Sequence, residues 1–386
     1  MSKALDDART RPLRIAYLTN SRTVGGAEKL FTALLAEGKA RGVEQVVLNP
    51  FVDEGGAVQL ADEWKDGTYR PFIATGPGGF LKARRWLAAE LRAFRPDLVH
   101  STLFQASVLL GTVARQGEKR LLTHAYGEGL AQLSRPKLRR ALDGWSIRRF
   151  DHVSAISESV KGFLERTYRL PPPPLGKIVL GWQGAALPPV VRADRPPTIV
   201  CVAVLRKEKG HDTLLAAFAK VRKEVPDARL VLVGGGPWRA GVEALIASSG
   251  VADGVDLLGR VPDIWPHLAD ADVFALASPM EALGIAVMEA MAAGLPSVVS
   301  DTGGLPEFVE QGATGELFPP GDHQALADKL VALLRDRPRR EAMGGAALDA
   351  SRALHMDASV AKYFDLYQRL LGRAGSGGGP TGDDQA

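Results

Sequence analysis

A chain of 386 residues with 46% hydrophobic and 24% charged side chains has room for two domains of about 150–200 residues, each with its own core, and is no disordered or low-complexity protein. Its single cysteine, Cys201, excludes a disulfide framework and points to a reducing compartment; within the run TIVCVAVL it reads as a small buried apolar residue. The net charge of +4 is uneven: residues 81–150 hold 14 Lys and Arg against 5 Asp and Glu, so this basic stretch invites an anionic partner such as a phosphate, a nucleic acid or an acidic membrane surface.

The start, MSKALDDARTRP, has an acidic pair and no apolar run, so no signal peptide is expected there. No stretch reaches the ~18 uninterrupted apolar residues of a membrane span. The longest, Leu98 to Ala114, is broken by His100, Ser101 and Gln105. A cytoplasmic location is expected, with the inner face of the cell membrane as the surface on which the basic half would dock.

Strand-like and helical runs alternate along the chain. The strand LRIAYLT is followed by a glycine turn at Gly25-Gly26, a helix from Ala27 to Arg41 and the strand VEQVVLNP. Then come a helix over Phe80–Phe94, the strand DLVHS, a helix over Phe104–Arg115 and the strand KRLLTHA. A helix over Ser134–Arg149, the strand DHVSAIS, a helix over Glu158–Tyr168 and the strand KIVL complete the first set. The rhythm restarts with PTIVCVAVL, a helix over His211–Lys223, ARLVLVGGGP, a helix over Arg239–Ser248 and VDLLG. A short helix near Ile264–Leu268, ADVFALAS, a helix over Gly284–Ala293 and LPSVVS follow, and a last helix is expected from Met356 to Leu371. Such alternation predicts parallel sheets flanked by helices, an α/β architecture used twice.

The break between the two sets, Leu187 to Pro197, holds four prolines and suits an exposed connector. The expected organisation is a flexible N-terminus over 1–12, a first Rossmann-like domain over 13–186 and a linker over 187–197. A second Rossmann-like domain over 198–355, a C-terminal helix over 356–372 that packs on the first domain, and a disordered glycine-rich tail over 373–386 complete it. The proline block PPPPLG at 171–176 reads as a stiff loop within the first domain.

Five segments could carry chemistry. In SPMEALGIAVMEAMAAGLPSVVS, a strand ends near Ser278, Glu281 lies in the loop, Gly284 opens the next helix and Glu289 sits a turn and a half inside it. A loop glycine at a helix N-terminus offers free backbone N–H groups and a positive dipole end to a phosphate, and carboxylates accept hydrogen bonds from the vicinal hydroxyls of a sugar. The plain alternative is a surface helix with ordinary glutamates. In VLRKEKGHDTLLAAF, Arg206, Lys207 and Lys209 follow a strand end, placed for phosphate oxygens or simply for solvent. Gly25 and Gly26 in GGAEKL permit close approach of a ligand or merely a tight turn. His124 ends a strand on the side where parallel sheets bind ligands, or is a structural histidine; Tyr126 and Glu128 follow it. VGGGPW, with Gly234, is not a full G-x-G-x-x-G fingerprint, which weakens a dinucleotide-dependent dehydrogenase reading.

With these segments in place, the chain resembles glycosyltransferase family 4, the retaining enzymes of GT-B fold, over essentially residues 13–370. Its E-x7-E signature reads here E-ALGIAVM-E. The resemblance implies two Rossmann-like domains facing across a deep cleft, with a C-terminal helix returning to the first. It implies that Glu281 contacts the donor sugar, that Glu289 binds ribose hydroxyls, and that the backbone at Gly284 and Ile285 approaches the diphosphate and sugar. The order R-K-E-K-G matches the family's R-x-x-x-K-G segment in shortened form, which makes Arg206 and Lys209 the phosphate pair. Gly25 and Gly26 would face the donor phosphates across the cleft, with Glu28 beside them. His124 would touch the sugar near the reacting carbon. Gly234 would lie near the nucleotide, and Arg260 or Val261 in GRVPD near the base. Where many members have an I-P-N-G-V-D-like segment between the domains, this chain has KIVLGWQGAALPP, with Trp182 and Gln183 in place of the usual Pro-Asn.

The implied activity is retaining transfer of a sugar from a nucleoside-diphosphate sugar, UDP- or GDP-linked, to a hydroxyl acceptor such as a lipid-linked or polysaccharide precursor. No cofactor and no metal are expected: the D-x-D at Asp270 and Asp272 enters a strand rather than leaving one. A nucleotide-sugar epimerase of the same architecture and a non-catalytic sugar-nucleotide binder are the alternatives. The segments KARRWLAAELRAFR at 82–95 and RPKLRRALDGWSIRR at 135–149 read as amphipathic basic helices, suited to an anionic membrane or simply solvated. Nothing resembles a nucleic-acid recognition motif.

Overall fold

The computed structural model describes residues 11–21, 25–52, 60, 64, 68–73, 78–125, 136–168, 174–184 and 195–373. Tyr126, Glu128, the three prolines at 171–173, most of the 187–197 connector, and the terminal segments 1–10 and 374–386 lie outside the described residues.

The chain builds two parallel sheets. The first combines β1 (Arg14–Leu18), β2 (Glu44–Asn49), β3 (Tyr69–Pro71), β4 (Leu98–Thr102), β5 (Lys119–His124), β6 (His152–Ala155) and β7 (Leu175–Lys177) in the order β3-β2-β1-β4-β5-β6-β7. Its helices are α1 (Gly26–Ala40), α2 (Gly79–Phe94), α3 (Phe104–Thr112), α4 (Pro136–Ile147) and α5 (Glu158–Tyr168). The second sheet combines β8 (Thr198–Val202), β9 (Arg229–Val233), β10 (Val255–Gly259), β11 (Val273–Leu276), β12 (Ser297–Ser300) and β13 (Gly315–Phe318) in the order β10-β9-β8-β11-β12-β13. Around it run α6 (His211–Glu224), α7 (Arg239–Ser248), α8 (Trp265–Ala269), α9 (Ile285–Ala292), α10 (His323–Arg335) and α11 (Arg337–Ser351), and α12 (Met356–Leu370) closes the chain.

The central strands are apolar runs buried on both faces, as helices on both sides of a parallel sheet require: Ile15, Tyr17 and Leu18 of β1 and Phe274 of β11 are inaccessible. In each sheet the chain order reverses once, between β1 and β4 and between β8 and β11. Connections leave the sheet in opposite directions at such a point, which opens a crevice at the strand C-termini where α/β proteins bind ligands. Glu281, Arg206 and Lys209 follow β8 and β11, and Gly25 and Gly26 follow β1.

Three differences from the sequence reading stand out. The last strand of the first domain, expected at KIVL, is β7 at Leu175–Lys177, which starts two residues earlier and shares Lys177 with it; Ile178 and Leu180 are buried as the chain leaves the sheet. The short strand β3 has no apolar alternation to announce it. Residues 301–355, left without elements, add β13 and two helices, α10 capped by Asp322 and α11 by Asp336.

Helix α12 packs against α1 of the first domain. Tyr367 Oη bonds His100 Nδ1 at 2.7 Å, His100 Nε2 bonds Thr123 Oγ1 at 2.7 Å, and Thr123 Oγ1 bonds Tyr363 Oη at 2.7 Å. The polar tips of both tyrosines thus reach partners inside the first domain, which lets the rings bury fully without leaving unpaired hydroxyls. Trp182 wedges into the crossover between the domains. Its indole N–H donates to Ser351 O at 2.8 Å, and its ring meets Trp265 and His355 edge-on. The departure at Trp182 therefore supplies an apolar anchor where the C-terminal segment crosses back. No helix among the described residues is long and apolar enough to cross a membrane.

Candidate active site

The second-domain half of the site grows from two loops. After β8 a single 3-10 turn over Lys207–Lys209 leads to Gly210, in the left-handed region at φ 65°, and α6. Lys209 Nζ is thereby aimed across the β8/β11 crevice at Glu281 Oε2, 2.5 Å away. Ser278 Oγ also reaches that oxygen at 3.4 Å. Arg206 is not drawn into the pair: its guanidinium is more than half exposed and lies 3.7 Å from Glu208.

Glu281 is held from behind by glycine packing. Gly303 has φ +59°, and a Cβ there would sit 1.7 Å from Glu281 O. Gly304 N donates to the same carbonyl at 3.0 Å. The loop then enters α9 through Gly284, whose left-handed φ of 92° lets the first amides of the helix face outward.

The first-domain half is the start of α1. Gly25 N donates to Glu28 Oε2 at 2.9 Å, so Glu28 caps its own helix, with Thr19 Oγ1 at 3.5 Å from the other oxygen. Burial raises the Glu28 carboxyl above the usual carboxylate range, opposed by the donors around it. Glu28 is thus occupied in shaping the glycine turn. A Cβ on Gly26 would fall 2.9 Å from Ile285 Cδ1, so the first turns of α1 and α9 abut across the cleft. Two positive helix ends converge there, and apart from the amides that Glu28 caps in α1 their first-turn N–H groups are of the kind that binds anionic oxygens.

One residue the sequence reading did not single out joins this group. Lys29 Nζ, one position beyond Glu28, lies 2.9 Å from Glu289 Oε1 on the facing helix. Glu289 is almost wholly buried; burial raises its carboxyl, and the Lys29 ammonium works against that rise. A lysine in the first turn of a helix opposes the dipole, a sequence-level signal that it has a partner elsewhere.

Gly234, Gly235 and Gly236 after β9 close the crevice from the other side. A Cβ at Gly234 would sit 1.9 Å from Ala203 O, and one at Gly235 3.4 Å from Arg260 Cβ. This brings the glycine turn, Arg260 and, beside it, the half-buried Val261 against the loop that carries Arg206 and Lys209.

His124 is placed differently from the other candidates. It ends β5 at the cleft side, yet its side chain is buried and its Nε2 is 2.9 Å from Asp143 Oδ2 on α4. Tyr168 Oη donates to the same carboxylate oxygen at 2.8 Å. The imidazole is tied into the layer beneath α4 and α5 by Asp143, a buried mid-helix acid that no local sequence pattern singles out. The D-x-D is likewise committed elsewhere: Asp272 Oδ2 accepts Thr198 N at 2.8 Å and faces Arg195 and Arg340. Among the described residues no cluster of side chains suited to a metal ion forms.

Residues 187–349 match the family described as glycosyl transferases group 1, and residues 24–179 match glycosyltransferase family 4. Among solved structures, that of Anabaena Alr3699/HepE in complex with UDP and glucose superposes with a TM-score of 0.80 at 20% identity, covering 92% of this chain and all of that one. A sucrose-phosphate synthase from Thermosynechococcus elongatus gives 0.78 at 21% identity over 94% of this chain and all of that one. Two parallel-sheet domains meeting at opposed crevices are the GT-B fold of these solved structures. A GDP-mannose-dependent alpha-(1-6)-phosphatidylinositol monomannoside mannosyltransferase from Mycobacterium tuberculosis is 35% identical over 264 residues, 63% of this chain and 67% of that protein. The N-acetyl-alpha-D-glucosaminyl L-malate synthase of Bacillus anthracis is 33% identical over 174 residues, 45% of each chain. The chain belongs to glycosyltransferase family 4, among the group 1 glycosyl transferases, which sets the epimerase and non-catalytic alternatives aside.

Proposed function

We propose that the protein transfers a hexose from a nucleoside-diphosphate sugar to a hydroxyl acceptor, with retention at the anomeric carbon. The observation that carries the reading is the Lys209–Glu281 pair at the β8/β11 crevice, facing the abutting starts of α1 and α9. In the reaction the anomeric C–O bond to the diphosphate breaks and a bond to the acceptor oxygen forms. The acceptor's proton leaves with the diphosphate or to solvent. Lys209, Arg206 and the two helix ends meet the charge that grows on the leaving diphosphate. Glu281 turns from Lys209 to the sugar hydroxyls, and Glu289 takes the ribose. With this much fixed positive charge the transfer needs no metal. His124 contributes through the end of β5 that Asp143 and Tyr168 hold in place.

The acceptor is read as a lipid-linked or other membrane-borne hydroxyl. Helices α2 and α4 flank α3 on one face of the first domain, joined by Arg84 Nε to Thr112 O at 3.0 Å and by Arg139 over the Phe104 ring. That face exposes Phe80, Leu81, Leu138 and Leu142 among Lys82, Arg85, Lys137 and Arg140. Apolar side chains within a basic field suit an anionic bilayer surface.

Thermal melting with UDP, GDP and ADP and their hexose conjugates, GDP-mannose included, tests the donor. A nucleotide that binds only the folded chain raises the melting temperature, by an amount that grows with the logarithm of its concentration above Kd. Turnover of the stabilising donor, followed by NMR of the product's anomeric configuration with and without a chelator, tests retention and metal independence. Lys209→Ala and Glu281→Ala should each lower turnover on the order of 100-fold or more; unchanged turnover in both would remove the site.

A further inference from the structure

We propose that Glu307 and Ser157 form a clasp between the domains that sets the position of the Glu281–Gly284 loop, making both positioning residues for the transfer. Glu307 lies in the second domain, yet its carboxylate serves the first. It accepts Glu158 N at 2.9 Å on one oxygen and Ser159 N at 3.1 Å on the other. These are the opening amides of α5, which have no partner within a helix. Ser157 Oγ takes the next amide, Val160 N, at 3.2 Å and donates to Ala282 O, beside Glu281, at 2.7 Å. The helix end is therefore closed by one residue of its own domain and one of the other. Lys177 of β7 adds a cation 3.6 Å from Glu307.

The clasp reaches Glu281 by two routes. One is direct, through Ser157 and Ala282. The other runs along the turn that carries Glu307: Gly303 and Gly304 lie so close to Glu281 O and Ala282 O that no side chain fits between the turn and the loop. A shift of α5 relative to the second domain therefore moves the backbone of Glu281 and Ala282 with it. None of the four residues that the donor reading assigns to phosphate, sugar and ribose belongs to the clasp. Its work is to register the first domain, and whatever acceptor it holds, against the donor loop and to keep the cleft shut.

This inference rests on the nucleotide-sugar reading for its kinetic consequence but not for its structural one. With the cleft loosened, water replaces the acceptor hydroxyl: its oxygen bonds the anomeric carbon, the bond to the diphosphate breaks, one water proton passes to the departing diphosphate or to solvent, and free sugar and nucleoside diphosphate result.

The test uses the full chain with Glu307→Ala, Glu307→Gln and Ser157→Ala. In the ligand-free protein, amide exchange of Glu307→Ala should rise both at the start of α5 and at residues 281–284. Exchange that rises only at the start of α5 would make Glu307 a helix cap and overturn the coupling. Affinity for UDP or GDP should stay within about twofold, while transfer falls on the order of 10–100-fold, as expected of a misplaced reactive geometry. The ratio of donor hydrolysis to transfer should rise severalfold, with Glu307→Gln, which keeps one acceptor oxygen, in between. Hydrolysis and transfer falling in equal proportion would also overturn the clasp. If the wild-type chain binds no nucleotide, the donor reading fails, and the exchange experiment still decides the clasp.

Discussion

Lys29 of the first domain and Glu289 of the second form an ion pair at 2.9 Å across the cleft, joining the first turn of α1 to the second turn of α9, two helices whose N-termini face each other. The carboxylate expected to hold a ribose is thus already engaged, by a cation from the opposite wall. On the proposed donor reading, entry of the nucleotide exchanges one partner for another: the ribose would take Glu289, and the Lys29 ammonium would be released beside the diphosphate.

The first prediction follows from that exchange. Burial raises the Glu289 carboxyl and Lys29 opposes the rise, so Lys29→Met moves it further up. If Glu289 holds the ribose as proposed, its ionised form would accept two hydroxyls and its protonated form fewer, so nucleotide affinity is expected to hold above its pKa and to be lost as pH falls through it. Calorimetric titration with UDP or GDP should show this loss beginning at higher pH in Lys29→Met than in the wild type. Identical pH profiles would mean that the pair does not govern the ribose site.

Gly303→Ala should be costly at a distance from any ligand. The residue is left-handed at φ +59° and its Cβ would collide with Glu281 O. The strained backbone costs about 1–2 kcal/mol and the overpacking about 1–3 kcal/mol. Denaturant melts should show a loss in that range, with turnover falling more than nucleotide affinity. A variant as stable and active as the wild type would remove the view that this turn braces the Glu281 loop.

Acid should destabilise the first domain through His100. Buried against Tyr17, Phe31, Tyr363 and Tyr367, its imidazole is pushed down from 6.5 to about 3. The folded state holds it neutral while the unfolded chain protonates near 6.5. Its contribution is therefore complete above pH 6.5 and is lost as pH falls toward 3, by about 1.4 kcal/mol per pH unit for one proton. His152, pushed down to about 4, adds to the same slope. Denaturant melts between pH 7 and pH 4 should be shallower in pH for His100→Gln by one proton. An unchanged slope would show that His100 does not titrate with unfolding.

The exposed apolar residues on α2 and α4 give a prediction for vesicles. Sedimentation with vesicles containing anionic lipid should retain the wild-type chain, and uncharged vesicles should not. Phe80→Ser with Leu81→Ser should weaken the binding severalfold without altering turnover on a soluble acceptor. Equal binding by the double variant would place the membrane contact elsewhere, and no binding by the wild type would discard it.

Much of the fold was legible in the chain because burial in a parallel sheet writes itself as short apolar runs separated by glycine turns and helical periods. The E-x7-E spacing and the loop holding Lys209 are local patterns, and each lies where its neighbours in sequence place it. β3 is not legible and β7 lies two residues before the expected strand, because a three-residue edge strand buries too little to impose a pattern.

The sequence by itself determined two α/β domains, the residue types gathered at the second domain's crevice and the kind of reaction they suit. Only the tertiary structure decided their partners: Lys209 with Glu281, Lys29 with Glu289, Glu307 with α5, and His124 turned to Asp143 rather than standing open at the cleft. Spacing along a chain reports which face of an element a side chain occupies. Lys29 and Glu289 are 260 positions apart, and only the closure of one domain on the other brings such residues together.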